Sequence, residues 1–532
     1  MPVTTLCTGN PHASTNILRH ATSTKPLVLW RHRTHTIPVA RSRLPSYPGR
    51  FSWNASSCIL RRSPPSFRTA HSQRGVPYRR AYSVANNAFP SHDEVYLPGI
   101  DLENLENYTP GGYHPTLLGD AFHNGRYEVV HKLGYGSWSS VWLARDRHLQ
   151  RYVSLKILVA NASSKSTEGT ILQMLCSGDL AHPGRRFIPR LLDRFSFDGP
   201  NGRHLCLVQE PASCDIAASK EDSINFMFPV EAARSIAAQL IMGVSYLHSR
   251  GVCHGDLYIR NFLLYGPSLD CLSRDELYKR YRLDTTPISR VDGAVLQPHA
   301  PPFAVYPMHI KMPADKLVDP TIKISDYGTS FSISTEKCPK LYTPALYLPP
   351  EDFFGEPITQ AADMWTLGVN LYEVLGERPL FESFGWDRDD IMAEMVNSLG
   401  LPPARWWDAW ENRKEFFEPD GSWVHNVRRI CTPVFRRLHQ RMWDMGRGET
   451  PETCQWDVER GEMRTLEELL RGMMAFEPTE RLTAEQAMKS EYMVKWAMPA
   501  WERQRERRTR IKPDGEDLGT CDAETSRKGH HQ

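Results

Sequence analysis

Asp256 and Asn261 stand five residues apart in the stretch His254-Gly255-Asp256-Leu257-Tyr258-Ile259-Arg260-Asn261. A carboxylate at the first position can orient an attacking hydroxyl and accept its proton. An amide oxygen at the second can bind a metal ion. Together they suit phosphoryl transfer, in which a protein mainly positions groups and neutralises charge. Downstream, Asp326 in Lys323-Ile324-Ser325-Asp326-Tyr327-Gly328 offers a carboxylate for Mg²⁺ bridging nucleotide phosphates. Seen singly, each acid is better explained as a surface turn residue.

Upstream lie the groups that would hold the phosphates. Gly134 and Gly136 fall in Leu133-Gly134-Tyr135-Gly136-Ser137-Trp138-Ser139-Ser140-Val141, between two strand-like runs. Glycine lets backbone N–H groups approach phosphates with no Cβ in the way. Ser139 stands where a third glycine would, and a plain β-hairpin explains the pattern equally well. No long helix follows directly, which argues against a dinucleotide-binding fold. Leu133, Gly134, Gly136, Ser139 and Val141 are the candidates for contact with the nucleotide. Lys156 ends an alternating strand 20 residues after Gly136 and can reach the α- and β-phosphates. It needs an acidic partner, and Glu168 on the following helix is the best placed. After Leu205-Cys206-Leu207-Val208, the Glu210 carbonyl and the Ala212 N–H can meet an adenine edge, whereas Pro211 has no N–H. Gln209 would then guard the back of that site.

These residues require a frame. Tyr127–Leu133, Ser140–Asp146, Tyr152–Leu158 and Leu205–Glu210 read as strands rich in β-branched and aromatic residues. From Val230 the period changes, and Ala233, Ile236, Ala237, Leu240 and Val244 share one helical face. A strand-rich front and a helix-rich back predict an α+β fold of two lobes, 127–212 and 213–497. Residues 93–126 form an acidic approach segment. Residues 265–320 hold many prolines and little periodicity, which predicts an insertion loop. Residues 498–532, with the basic cluster Arg503–Lys512, are expected to form a charged disordered tail.

Taken in order, the glycine hairpin, strand Lys, helix Glu, His-x-Asp…Asn and Asp-x-Gly resemble the signature set of eukaryotic protein kinases. The resemblance continues through Leu346-Tyr347-Leu348-Pro349-Pro350-Glu351, Ala362-Asp363-Met364-Trp365-Thr366-Leu367-Gly368 and Arg481, and covers about 127–497. Within that family the chain is most similar to the serine/arginine-rich protein kinase group, especially its divergent fungal relatives. The opening from Gly111 to Asp146, the long insert and the short segment before Glu351 carry that likeness. The resemblance implies a bilobal kinase fold, ATP, Mg²⁺ and transfer to Ser or Thr hydroxyls of a protein. It implies Asp256 as base, Lys156 with Glu168 on the phosphates, Asn261 and Asp326 on the metal, and an Arg481–Glu351 pair. Preference for Arg/Ser-rich substrates follows from the resemblance alone.

Two departures matter. Gly255 replaces the Arg that ordinarily gathers a phosphorylated activation loop. Little dependence on loop phosphorylation is therefore expected, and a loop phosphate that raises activity many-fold would refute this. Tyr258 replaces the Lys that contacts the γ-phosphate, a loss of about a few kcal/mol of transition-state stabilisation. It favours a rival reading, a pseudokinase scaffold. The run His-Gly-Asp-Leu-Tyr favours another, a small-molecule phosphotransferase of the aminoglycoside or choline type. The Pro-Pro-Glu element and Arg481 favour a protein substrate.

Composition sets the outer limits. The first 92 residues hold thirteen Lys and Arg and no Asp or Glu. The remaining 51 of the 64 basic residues face all 62 acidic ones, a net of −11. An acidic body weakly favours basic partners and disfavours nucleic acid, although ordinary surface charge is the better explanation of the balance. No apolar run approaches the ~20 residues of a membrane span. The eleven cysteines contain no Cys-x-x-Cys pair, so reduced thiols are expected. The basic leader ends in Arg80-Ala81-Tyr82-Ser83, similar to a matrix-processing site, and has the composition of a mitochondrial transit peptide. A disordered basic tail explains it too, and the family resemblance implies cytoplasm and nucleus; both locations stay open. The sequon at Asn54 is expected to be chance, and a monomer is expected.

Overall fold

The computed structural model describes residues 95–333, 340–382, 387–424 and 436–511. The leader with its Arg80–Ser83 site, the Asn54 sequon and residues 512–532 lie outside them. The strand pattern resolves into a six-stranded antiparallel sheet. Its strands are β1 (Ala121–Phe122), β2 (Tyr127–Gly136), β3 (Ser139–Asp146), β4 (Arg151–Leu158), β5 (Leu191–Gly199) and β6 (Gly202–Gln209). They lie in the order β1-β2-β3-β4-β6-β5. The period-2 alternation of β4 sorts its side chains. Val153, Leu155 and Ile157 pack with Trp142, Ala144 and Val208 on one face. Leu158 joins Leu172, Leu175 and Leu207 in a different cluster. Lys156 shares the parity of Leu158 and so faces the Glu168–Cys176 helix.

The helical lobe is built around Val230–Ser249, which is buried from Ala232 to Leu247 except at Arg234. The expected apolar face is present, but neighbours cover the helix all round. Gly243 permits one of these close contacts. A Cβ there would stand 2.7 Å from Ile324 Cδ1, so its absence lets the strand Ile322–Ile324 lie against the helix. That strand leads directly into Asp326. The two-lobed α+β architecture expected from the two periodicities is therefore what forms.

Two segments differ from expectation. The insert 265–320 is structured. It contains the helix Arg274–Tyr281, started by a reciprocal capping box between Ser273 and Glu276. A hairpin pairs Thr285–Pro287 with Phe303–Val305. Leu269, Leu277, Met308 and Ile310 pack on Val130, Leu143 and Tyr152 of the sheet. Low periodicity concealed a fold held by its contacts with the small lobe. The disordered tail expected from 498 is also contradicted over Met498–Ile511, which is helical. Trp501 meets Phe187 edge to face at 5.4 Å, Gln504 is buried on Ser235 and Pro320, and Arg507 pairs with Asp319 at 2.6 Å. The arginines read as a solvated tail lie beside apolar anchors. Among the described residues, no helix is long and apolar enough to cross a membrane.

Candidate active site

Lys156 pairs in register with Val141 on β3 and Leu207 on β6. Its Nζ donates to Glu168 Oε1 at 2.6 Å and to Asp326 Oδ1 at 2.8 Å. Glu168 opens its helix and is buried, whereas the Asp326 side chain is half exposed. One cation therefore serves two carboxylates from two other parts of the chain. The Lys156 charge holds the Asp326 carboxyl down to about 2. Burial pushes Glu168 upward against the pull of Lys156. The ammonium itself is held above its ordinary range by both carboxylates, although burial works the other way. The Asp326 carboxyl is therefore ionised at neutral pH.

Asp326 adopts a left-handed backbone, φ 65° and ψ 76°, sparsely populated for a residue with a side chain. It is kept there by its neighbours. Gly328 N–H donates to Asp326 Oδ1 at 3.4 Å. Tyr327 is fully buried among Leu172, Leu175 and Leu247, beside the helix that carries Glu168.

The catalytic-loop candidates are locked from behind. Asp363, buried in the Gln360–Leu375 helix, accepts from the His254 and Gly255 backbone N–H groups at 2.7 and 3.0 Å. It also bonds His248 Nε2 at 3.0 Å. Against the upward push of burial, these bonds and the histidine charges hold its carboxyl low. His254 Nε2 meets the Ser325 carbonyl at 3.0 Å, tying the loop to the strand before Asp326. Asn261 Nδ2 donates to the Asp256 carbonyl at 2.8 Å and to Asp256 Oδ2 at 3.3 Å. With the amide nitrogen so occupied, the Asn261 oxygen is the atom left for a metal.

Gly255 has φ +74°, and a Cβ there would stand 3.2 Å from the Thr329 carbonyl. Thr343 Oγ1 donates to the Gly255 carbonyl at 3.0 Å from the segment before Glu351. Tyr258 is half-buried, 6.1 Å from the ring of Tyr347. Burial, then the charges of Asp256 and Asp326, push its hydroxyl well above the ordinary range, so it remains a neutral donor. Arg260, the cation of this loop, pairs with Glu221 at 2.9 Å.

The glycine hairpin is a tight one. Gly134 faces Val141 and Gly136 faces Ser139 across β2 and β3, leaving Ser137 and Trp138 as the turn. Gly136 is exposed, Gly134, Leu133 and Val141 are half-buried, and Ser139 is buried at the base of the turn. At the adenine candidates, Ser154 Oγ donates to the Gln209 carbonyl at 3.2 Å. The Glu210 carboxylate pairs with Lys323 at 2.5 Å, a role the spacing did not suggest. Ala212 is half-buried nearby in sequence. At the far side, Arg481 and Glu351 form two parallel bonds of 2.6 Å, both side chains fully buried.

The donor set fits Mg²⁺. Asp326 and Asn261 offer only oxygen. Among the described residues no group of three or more His, Cys, Asp or Glu gathers. A metal held by one or two protein oxygens, substrate phosphates and water is the usual Mg²⁺ mode. Sequence reasoning found Lys156, Glu168, Asp256, Asn261 and Asp326, and the structure brings the first two together with the last. It missed Thr343 and the role of Asp363 as anchor of the catalytic loop. Asp363 was visible as a motif residue, but no spacing reveals which N–H groups it meets.

Comparison with known sequences agrees with this geometry. The family model described as "Protein kinase domain" matches residues 127–269 and 311–493, and skips the middle of the insert. A serine/threonine protein kinase of Aspergillus fumigatus is 24% identical over 81% of this chain and 99% of its own length. The protein kinase dsk1 of Schizosaccharomyces pombe is 39% identical over 33% of this chain and 32% of its own. Human SRSF protein kinase 3 is 37% identical over 31% of this chain and 30% of its own. The chain belongs to the protein kinase family, as a serine/threonine kinase, and is similar to the SRSF protein kinases.

Proposed function

We propose that the chain transfers the γ-phosphoryl group of Mg-ATP to serine or threonine hydroxyls in basic, Arg/Ser-rich protein segments. The observation that carries the reading is the single Lys156 ammonium bonded to both Glu168 and Asp326. That arrangement supports the reading because a cation suited to phosphates and a carboxylate suited to a metal ion are bonded to each other. Asp256 accepts the proton of the attacking hydroxyl. A P–O bond forms to the substrate oxygen, the β–γ bridging bond breaks, and ADP leaves with that electron pair. Mg²⁺, when bound, neutralises charge on the phosphate oxygens. Asn261 and Asp326 hold it, and Lys156 orients the phosphates. Tyr258 replaces a charged contact by a neutral hydroxyl donor. The backbone of the glycine hairpin, flanked by Leu133 and Val141, covers the nucleotide, with Glu210 and Ala212 at the adenine edge.

Support for a basic substrate is chemical: beyond residue 92 the chain carries a net of −11. The names of the relatives point the same way. The test is turnover by residues 93–532 with Mg-ATP and an Arg/Ser-rich peptide, beside Asp256→Asn. Transfer reduced about 10²- to 10⁴-fold by the variant supports the reading. Folded protein that binds Mg-ATP and transfers nothing to the peptide overturns it. A metabolite panel then separates a small-molecule enzyme from a scaffold.

A further inference from the structure

The approach segment and the insert converge on one atom of the glycine hairpin. Tyr113, buried in the approach segment, donates its hydroxyl to the Gly136 carbonyl at 2.7 Å. Its ring packs with Tyr108, Val159 and, from the insert, Ile288, Ala300 and Ala304. Its own carbonyl accepts from Asn201 Nδ2 at 2.6 Å. Asn201 sits in the β5–β6 turn, fully buried, and its side chain is saturated. Nδ2 also donates to the His299 carbonyl at 2.8 Å, and Oδ1 meets His299 Nδ1 at 2.6 Å. Both Asn201 N–H groups point at carbonyls, so Oδ1 accepts and His299 carries its proton on Nδ1.

The strand feeding the hairpin is gripped by the same two segments. Lys132 is fully buried and pairs with Glu103 of the approach segment. Met308 N–H of the insert donates to the Lys132 carbonyl at 2.7 Å. The His131 ring meets the Arg282 carbonyl at 2.8 Å. Tyr113 and His299 lie outside the residues that match the family model, which begins at 127 and skips 270–310.

We propose that Tyr113 is a positioning residue for the nucleotide. It holds Gly136, and with it the exposed turn, in the conformation that covers the phosphates, and the insert sets its place through His299 and Asn201. A glycine turn without a fixed point divides its population between covering and open forms, and apparent affinity falls by the covering fraction. One neutral hydrogen bond shifts such an equilibrium about threefold to tenfold. The inference rests on the reading that Mg-ATP binds beneath this turn.

The experiment measures Mg-ATP affinity by titration calorimetry, KM for ATP, kcat and Tm on the full chain. Tyr113→Phe is expected to raise Kd and KM for ATP about threefold to tenfold, with kcat within about twofold. Tyr372→Phe is the control. It removes a buried hydroxyl of the helical lobe, one that donates to the Arg441 carbonyl at 2.7 Å, and should lower Tm without moving Kd. His299→Ala should raise Kd less than Tyr113→Phe, and the double variant should match Tyr113→Phe alone. An unchanged Kd in Tyr113→Phe, or an equal rise in Tyr372→Phe, overturns the inference. An unchanged Kd in His299→Ala removes the insert from it. Wild-type chain that binds Mg-ATP without turnover fails the functional reading only, and the Kd comparison still decides this one. Wild-type chain that does not bind Mg-ATP overturns both.

Discussion

Arg481 and Glu351 form a closed pair, whereas Lys156 is shared between two carboxylates. The closed pair has two parallel bonds, fully buried side chains and further bonds from Arg481 to the Ala361, Ala475 and Phe476 carbonyls. Nothing is left for a ligand to displace. Lys156 instead meets one buried and one half-exposed carboxylate. The same chemistry, a cation on a carboxylate, supports architecture where it is saturated and sealed. It supports catalysis where one partner faces the cleft and can exchange a protein contact for a phosphate or a metal.

The sharpest way to break this contrast is Arg481→Ala. It strands a buried carboxylate, so unfolding in denaturant should become easier by about 3–5 kcal/mol. A loss below about 1 kcal/mol would mean the pair is not sealed in solution. Asp326→Asn should do the reverse. Its half-exposed carboxylate contributes little to folding, so stability should stay within about 1 kcal/mol. Steady-state transfer should nonetheless fall about 10²- to 10³-fold, on the scale of one lost charge-stabilising group. Equal losses of stability and rate would erase the distinction.

Gly255→Arg tests a smaller claim, that this glycine is a backbone requirement rather than only a missing receptor. Its positive φ and the nearby Thr329 carbonyl should make the variant about 1–2 kcal/mol less stable by thermal unfolding. A more stable or more active variant would show that the backbone adapts. The smallest effect is in acid. Asp326 has a depressed pKa in the fold, so its contribution to stability is present above its unfolded value of about 4. It is lost as pH falls towards about 2. The stability gap between wild type and Asp326→Asn should therefore close between about pH 4 and 2, read by denaturation at stepped pH. A gap independent of pH would remove the Lys156 bond from the account.

Much of the architecture was legible because it is local. Strand alternation located β2, β3, β4 and β6, and the change of period at Val230 located the central helix. The insert was misread because its helix is eight residues long and its apolar residues, spread over the segment without a period, are buried against the sheet as well as one another. Ser273 and Glu276, three apart, were the signal that would have found its start. Met498–Ile511 was misread for the opposite reason: its charges are plain in sequence, while Trp501 and Gln504 show their use only against the lobe.

What the sequence alone determined is the inventory and order of the candidate groups: two carboxylates and an amide suited to a base and metal ligands, and a lysine with an acidic partner suited to phosphates. Residue type limits what each atom can donate, accept or hold, and no folding is needed to know that. What only the tertiary structure decided is who meets whom. Asp363 holds the His254 and Gly255 amides across more than a hundred residues of chain, and Tyr113 reaches Gly136 from outside the matched domain. Such contacts have no spacing rule, because the chain between them is closed by packing of apolar faces that are themselves non-local.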